Sequence, residues 1–220
     1  MSFIRPLRFL ATHTRKLKGG QTTIFGSALS FLFACFLLVE GCASTNDTQH
    51  ASAITNGITN LEGASADPLR IARHQPVVLI FVRTDCPVSN RYAPEIERLY
   101  QAFSAQGIAF WLVYPDADTT AVAIKDHLRE YRLDVPALRD PKHALVRASG
   151  VTVTPETVVL LPSSSQPIYR GRIDDRMADF GKERPEAREH DLENVLQKIV
   201  AGKNVTARTT KAFGCYISEK

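Results

Sequence analysis

Cys86 is the residue whose type and position most directly suggest chemistry. It follows an apolar run, Val77–Val82, whose β-branched residues predict a buried strand. A helical pattern begins soon afterwards, so the thiol is expected where a strand meets the N-terminus of a helix. Free backbone N–H groups and the positive end of the helix dipole stabilise an anion at such a junction. Because the thiolate is the nucleophilic form of cysteine, this position predicts a reactive thiol.

A second thiol, Cys215, is the candidate partner of Cys86. The chain has four cysteines, and the other two, Cys35 and Cys42, lie in the N-terminal segment. Cys86 and Cys215 are 129 positions apart, and the sequence alone does not decide whether they pair. Cys215 follows Gly214 in a small apolar motif within a polar tail. Two interpretations stay open: Cys215 resolves an oxidised Cys86, or it is a spare thiol.

The N-terminal segment has the pattern of an export signal. Basic residues precede a twelve-residue apolar run, residues 28–39, which is short for a membrane span of about 20 residues. The sequence Val39-Glu40-Gly41-Cys42 resembles a bacterial lipobox, although Glu40 replaces the usual small residue. We therefore expect a lipoprotein-type signal peptide over residues 1–41, lipid on Cys42, and a location at the periplasmic side of a bacterial cell envelope. Secretion without lipid and an uncleaved N-terminal anchor are the alternatives.

The charge is concentrated in that leader. The chain has 27 basic and 23 acidic residues, and the first 41 residues contain five of the basic and one of the acidic ones. The remainder is therefore balanced, with 22 of each sign. A neutral domain has no electrostatic footprint for nucleic acid, so the expected partners are a membrane, reached through the lipid, and small or protein thiols.

The segments around Cys86 predict one α/β domain with a mixed central sheet flanked by helices. A flexible tether is expected over residues 42–67, the domain over 68–201, and a C-terminal tail carrying Cys215 over 202–220. The predicted strands are Val77–Val82, Ile108–Tyr114, Val135–Leu138 and a hairpin of Thr157–Leu161 with Ile168–Arg170. The predicted helices are Ala93–Ala105, one from Asp118 or Thr119 to Tyr131, one from Asp140 to Ala148, and Glu189–Val200.

This order of elements, with a cysteine after the first buried strand, resembles the thioredoxin superfamily and its exported redoxin branch. That branch includes thiol–disulfide lipoproteins, peroxiredoxins and Sco-type copper chaperones. Val151-Thr152-Val153-Thr154-Pro155 follows the third helix, and the resemblance implies that Pro155 is the cis-proline that packs beside the active cysteine.

The cysteine motif departs from those of the resembled families. Ser89 stands where a dithiol oxidoreductase has its second cysteine, and Asn90 stands where the Sco pattern has it. Thr84 lies two residues before Cys86, whereas a peroxiredoxin has threonine three residues before. Cys86 is therefore a monothiol site that needs a distant resolving thiol. Thr84 is expected to hydrogen-bond the sulfur or a peroxide oxygen, and Arg91 to support the thiolate.

The sequence thus predicts a thiol-based oxidoreductase with Cys86 as the nucleophile, which uses an external thiol reductant and no cofactor. Thiol-dependent peroxide reduction and thiol–disulfide exchange with a protein both remain open. One alternative is a Sco-like copper-binding protein with Cys86, Cys215 and His143 as ligands, since thiolate and imidazole suit Cu(I). The other is a redox-inert binding module with the same fold.

Overall fold

A computed structural model describes residues 57–162, 164 and 166–218. The predicted signal peptide, the lipidation site Cys42 and the tether up to residue 56 lie outside the described residues. Within the described ranges, no helix combines the length and apolar character that crossing a bilayer requires.

The described residues contain eleven strands and five helices. The strands are β1 (Thr59–Asn60), β2 (Val77–Phe81), β3 (Ala109–Tyr114), β4 (Ala137–Arg139), β5 (Val153–Thr154), β6 (Glu156–Leu160), β7 (Tyr169–Gly171), β8 (Met177–Asp179), β9 (Lys182–Glu183), β10 (Arg208–Thr209) and β11 (Cys215–Tyr216). The helices are α1 (Pro68–Ile71), α2 (Pro87–Ser104), α3 (Ala121–Glu130), α4 (Ala144–Ser149) and α5 (Asp191–Val200).

Seven strands form the central mixed sheet, in the order β1-β4-β3-β2-β6-β7-β10. The strands β2, β3 and β4 run parallel, while β6 is antiparallel to β2 and forms a hairpin with β7, which confirms the predicted mixed sheet. Every residue of β2 is buried, as its unbroken apolar sequence predicts for a strand covered on both faces. One apolar core includes buried side chains of α2, α3 and α5, and a second core includes those of α4.

The domain is larger at both ends than predicted. The tether prediction is wrong for residues 57–67, because β1 pairs with β4 and Ile58 is fully buried. The predicted C-terminal tail is also part of the fold, since β10 joins the central sheet and β11 pairs with β5. All three short strands have two residues, which is too few for a periodic pattern in the sequence.

Helices α2, α3 and α4 begin at residues other than those predicted from the sequence. Helix α2 begins at Pro87 instead of Ala93, with Pro87 in the first turn. Helix α3 is capped by Thr120, whose hydroxyl accepts a hydrogen bond from the Ala123 N–H at 3.1 Å. Helix α4 begins after Asp140, and the buried Asp140 carboxylate accepts three backbone N–H groups of its first turn. The stretch between β7 and α5, for which no strand was predicted, contains the β8–β9 hairpin.

Candidate active site

Cys86 stands at the N-terminus of helix α2, as predicted from the strand-to-helix junction. It is the N-cap residue, and its sulfur accepts a hydrogen bond from the Ser89 backbone N–H at 3.4 Å. The same sulfur lies 3.1 Å from the Thr154 carbonyl oxygen. The Cys86 side chain is fully buried. The neighbouring Asp85 is exposed and pairs with Arg83.

The peptide segment at Thr154 and Pro155 lies next to Cys86. The bond between these two residues is cis, as the resemblance implied. Strand β11 pairs antiparallel with β5, so that Cys215 stands opposite Thr154. The backbone of Ile217 extends this pairing with an N–H donated to the Thr152 carbonyl at 3.0 Å. The structure therefore brings together three predicted site residues, Cys86, Pro155 and Cys215.

Gly214 allows the tail to approach this closely. A Cβ atom at this position would lie 2.0 Å from the Thr154 carbonyl oxygen, which is far inside van der Waals contact. Neighbouring tail residues hold the strand in place, because Phe213 packs against one apolar core and Ile217 against the other. Cys215 therefore lies on a strand that packing holds next to Thr154.

The two thiols have opposite electrostatic character. Burial acts to raise the pKa of Cys86, but hydrogen bonds from the Cys215 side chain and from Ser89 outweigh it, so this pKa is lowered. Burial, the hydrogen bond to Cys86 and the Cys86 charge, in that order, together raise the pKa of Cys215 to about 12. Cys86 is therefore the more acidic of the two thiols, and Cys215 is the one that retains its proton to higher pH. This is the polarity of a nucleophile beside a protonated partner thiol.

Arg83 is the cation at this site, and the sequence-based choice of Arg91 is not supported. The Arg83 guanidinium donates to the Tyr216 carbonyl at 3.4 Å and lies 3.5 Å from the Asp116 carboxylate. Its charge acts to lower the pKa of Cys215. Arg91 is exposed and pairs with Glu183 of β9. In the sequence, Arg83 and Arg91 lie on either side of Cys86. Which of them faces the thiols depends on where α2 begins.

Thr84 and Ser89 differ from their predicted roles. Thr84 is half-buried, and its carbonyl oxygen accepts a hydrogen bond from the Asn90 side chain at 3.1 Å. Ser89 is 2% exposed, and its backbone N–H, which donates to the Cys86 sulfur, helps to lower the pKa of Cys86. Ser89 was noted in the sequence only as a missing cysteine. Its buried hydroxyl has no hydrogen-bond partner among the described residues.

His143 does not join the two thiols in a metal site. Its Nε2 atom lies 2.9 Å from the Pro115 carbonyl oxygen. In the described part of the chain, one group of three His, Cys, Asp or Glu side chains has ligand atoms within 4.8 Å of one another, and it is Glu95, His190 and Glu193. Arg98 already bonds both carboxylates of that group. The donor set proposed for copper, Cys86, Cys215 and His143, is therefore not assembled.

A cavity of about 210 Å³ is lined in part by Arg83, which also contacts the Tyr216 carbonyl of β11. Its other lining side chains include Asp116, His143 and Ile217. The Asp116 carboxylate in its wall is paired with Arg83. A second carboxylate, Asp118, also lines the cavity.

Comparison with known proteins agrees with this geometry. Residues 57–165 match the model of the AhpC/TSA family. The thiol-disulfide oxidoreductase ResA of Bacillus thuringiensis subsp. konkukian is 26% identical over 103 residues, which are 47% of this chain and 58% of that protein. ResA of Halalkalibacterium halodurans is 27% identical over 108 residues, covering 49% of this chain and 60% of that protein. The matched region thus spans less than two thirds of these relatives.

Solved structures show the same fold at low identity. A hypothetical protein of Sinorhizobium meliloti 1021 superposes with a TM-score of 0.62 and 18% identity, over 73% of this chain and 88% of the other. An uncharacterized conserved protein of Geobacillus kaustophilus superposes with a TM-score of 0.62 and 19% identity, over 74% and 87%. Together with the mixed sheet and the cysteine beside a cis-proline, these matches show that the chain has the thioredoxin-like fold, and its sequence is similar to the redoxin branch of that superfamily.

Proposed function

We propose that this protein is a thiol–disulfide oxidoreductase whose redox pair is Cys86 and Cys215. The observation that carries the proposal is the pairing of β11 with β5, which sets Cys215 against Thr154 while the Cys86 sulfur contacts the same residue. The pair would replace the local two-cysteine motif, which Ser89 and Asn90 interrupt. The relatives named thiol-disulfide oxidoreductase support this class of reaction.

The reaction follows from the polarity of the two thiols. The Cys86 thiolate attacks one sulfur of a partner disulfide, the partner S–S bond breaks, and the leaving thiolate takes up a proton. Cys215 then attacks the Cys86 sulfur in the mixed disulfide. Its proton goes to the departing sulfur, the second partner thiol leaves, and a Cys86–Cys215 disulfide remains. An external thiol reductant returns the pair to two thiols and is itself oxidised to a disulfide.

The burial of Cys86 favours small oxidants as a second candidate substrate class. Cys86 is fully buried, and strand β11 covers the edge of β5 beside it. A protein disulfide therefore reaches the sulfur after β11 moves, whereas a peroxide needs a smaller opening. The Cys86 thiolate would attack the O–O bond, giving a sulfenic acid and releasing water or an alcohol. Attack by Cys215 would then release water and form the same disulfide.

The decisive experiment is to incubate the reduced full chain with either oxidised glutathione or hydrogen peroxide. Peptide mass spectrometry should detect a Cys86–Cys215 disulfide that one equivalent of external dithiol removes. Cys215→Ser should instead accumulate a glutathione adduct or a sulfenic acid on Cys86, according to the oxidant. The faster of the two oxidants identifies the substrate class. Two thiols that stay free with both oxidants would refute the proposed redox pair.

We also propose that the domain is exported and lipid-anchored through Cys42. The basic leader, the apolar run and the lipobox-like sequence before Cys42 support this proposal. Mass spectrometry of the N-terminal peptide from membrane fractions should find it starting at Cys42 and carrying acyl chains. An unmodified Cys42 in a processed protein would favour secretion, and an intact leader would favour an uncleaved anchor.

A further inference from the structure

Four groups form a chain of hydrogen bonds that ends at the turn carrying Cys86. The Tyr114 hydroxyl lies 2.9 Å from Nδ1 of His127, and Nε2 of His127 lies 2.9 Å from Oδ1 of Asn90. The Asn90 side-chain nitrogen then donates to the Thr84 carbonyl oxygen at 3.1 Å. Tyr114 and His127 are 1% and 6% exposed, so water does not substitute for these partners.

The hydrogen bond to the Thr84 carbonyl determines which group donates and which accepts in the other hydrogen bonds of this series. A carbonyl oxygen only accepts, so the Asn90 group that faces Thr84 must be the NH₂ group. Oδ1 of Asn90 therefore faces His127 and requires a proton on Nε2. In neutral histidine this leaves Nδ1 as the acceptor, and the Tyr114 hydroxyl donates to it. Burial lowers the pKa of His127, which agrees with the neutral ring.

These hydrogen bonds connect the two ends of the segment from Thr84 to Asn90, which contains Cys86. Thr84 lies two residues before Cys86 in the turn after β2, and Asn90 lies one helical turn after it in α2. The backbone N–H of Asn90 also donates to the Cys86 carbonyl at 3.0 Å. The Asn90 amide thus clamps the turn onto the first turn of the helix, and His127 fixes the orientation of that amide.

We propose that His127, as the tautomer with the proton on Nε2, is a positioning residue for the Cys86–Cys215 pair. This inference rests on the proposed redox function. Without the Nε2 proton, the Asn90 amide is free to rotate and the Thr84 carbonyl loses its partner. The turn before Cys86 then loosens, and the sulfur is held less closely to the Ser89 N–H and to Cys215.

Two substitutions separate the two ring nitrogens of His127. The amide nitrogen of glutamine reaches the position of Nε2, so His127→Gln retains the donor to Asn90. Asparagine is shorter and reaches the position of Nδ1, so His127→Asn retains a partner for Tyr114 and loses the donor to Asn90. Both variants remove the imidazole ring, and their comparison isolates the link to Asn90.

The first measurement is the equilibrium constant for forming the Cys86–Cys215 disulfide in glutathione buffers, made on the full chain. We expect about a fivefold decrease in His127→Asn, the size expected for one lost hydrogen bond, and less than a twofold change in His127→Gln. The second is the pKa of Cys86 from the pH dependence of alkylation by iodoacetamide, in a Cys215→Ser background. It should rise in His127→Asn and stay at the parent value in His127→Gln.

Equal effects of the two substitutions would overturn the proposal, because they would assign the role to packing of the ring. A loss of thermal stability in His127→Asn, with both readouts unchanged, would also overturn it. If His127→Asn does not fold, Asn90→Leu removes the same link and is judged by the same readouts. If the parent chain forms no Cys86–Cys215 disulfide, the proposed function fails, and the alkylation measurement alone then decides the role of His127.

Discussion

Cys215 stands directly opposite Thr154 in the antiparallel pairing of β11 with β5, although 61 residues separate them in the chain. The Thr154 carbonyl oxygen is also 3.1 Å from the Cys86 sulfur. One residue beside the cis-proline therefore positions both thiols. In this protein the second cysteine lies on a C-terminal strand, and helix α2 begins after a single thiol.

Removing the Cys215 S–H group should raise the pKa of Cys86. The hydrogen bond from Cys215 is the first of the contributions that lower this pKa against the opposing effect of burial. We expect Cys215→Ala to shift the pH midpoint of Cys86 alkylation upwards and to slow alkylation at pH 7. Cys215→Ser is the matched control, because its hydroxyl can still donate. An unchanged midpoint in Cys215→Ala would mean that the two side chains do not interact in solution.

A side chain at Gly214 should separate the two thiols without removing either. In Gly214→Ala the new Cβ would meet the Thr154 carbonyl at 2.0 Å, so β11 must leave β5. We expect the rate of Cys86–Cys215 disulfide formation to fall by about tenfold or more, the effect of about 1.4 kcal/mol. Ala207→Val adds bulk at an exposed tail position and should leave the rate unchanged. A wild-type rate of disulfide formation in Gly214→Ala would contradict the pairing of β11 with β5.

The two thiols should titrate in separate pH ranges in the folded, reduced chain. The pKa of Cys86 is lowered from its ordinary value of 9.0, whereas that of Cys215 is raised to about 12. Site-resolved alkylation should modify Cys86 at neutral pH and Cys215 only at strongly alkaline pH. In urea, both should react with midpoints near 9.0, and equal reactivity in the folded chain would refute the assignment.

The same shifts predict how the stability of the reduced protein changes with pH. Because the folded pKa of Cys86 is lowered, its contribution is present above pH 9 and is lost as pH falls through that lowered pKa. Because the folded pKa of Cys215 is raised, its contribution is present below pH 9 and is lost as pH rises towards about 12. Urea unfolding of Cys215→Ala should show a smaller alkaline loss than the parent chain. Some loss should remain, because burial also raises the pKa values of Tyr92, Tyr114 and Tyr169. Equal losses in the two proteins would show that Cys215 does not contribute.

Copper binding, if it occurs, should not depend on His143. The imidazole of His143 contacts the Pro115 carbonyl and does not complete a three-ligand group with the thiols. We expect His143→Ala to change the affinity for Cu(I) by less than twofold, and Cys86→Ser to abolish whatever binding the pair of thiols supports. Competition with a Cu(I) chelator measures both. A tenfold weakening in His143→Ala would restore the copper-carrier hypothesis.

The sequence alone determined the parts of this protein that depend on local pattern. The unbroken apolar sequences of β2 and β3 predicted the buried parallel strands, and the change to a helical pattern located Cys86 at the helix N-terminus. The resemblance to the thioredoxin superfamily added the cis bond before Pro155, which the structure has. These features are encoded within short windows of residues, so they are readable without the fold.

The tertiary structure decided which distant groups meet. Two-residue strands such as β11 have no periodicity, and their pairing depends on the close approach that Gly214 permits. The choice of Arg83 over Arg91 depended on where α2 begins, because a shift of a few residues rotates a helical side chain to another face. The partner of Cys86 was therefore fixed by long-range backbone pairing, which no local pattern around Cys215 encodes.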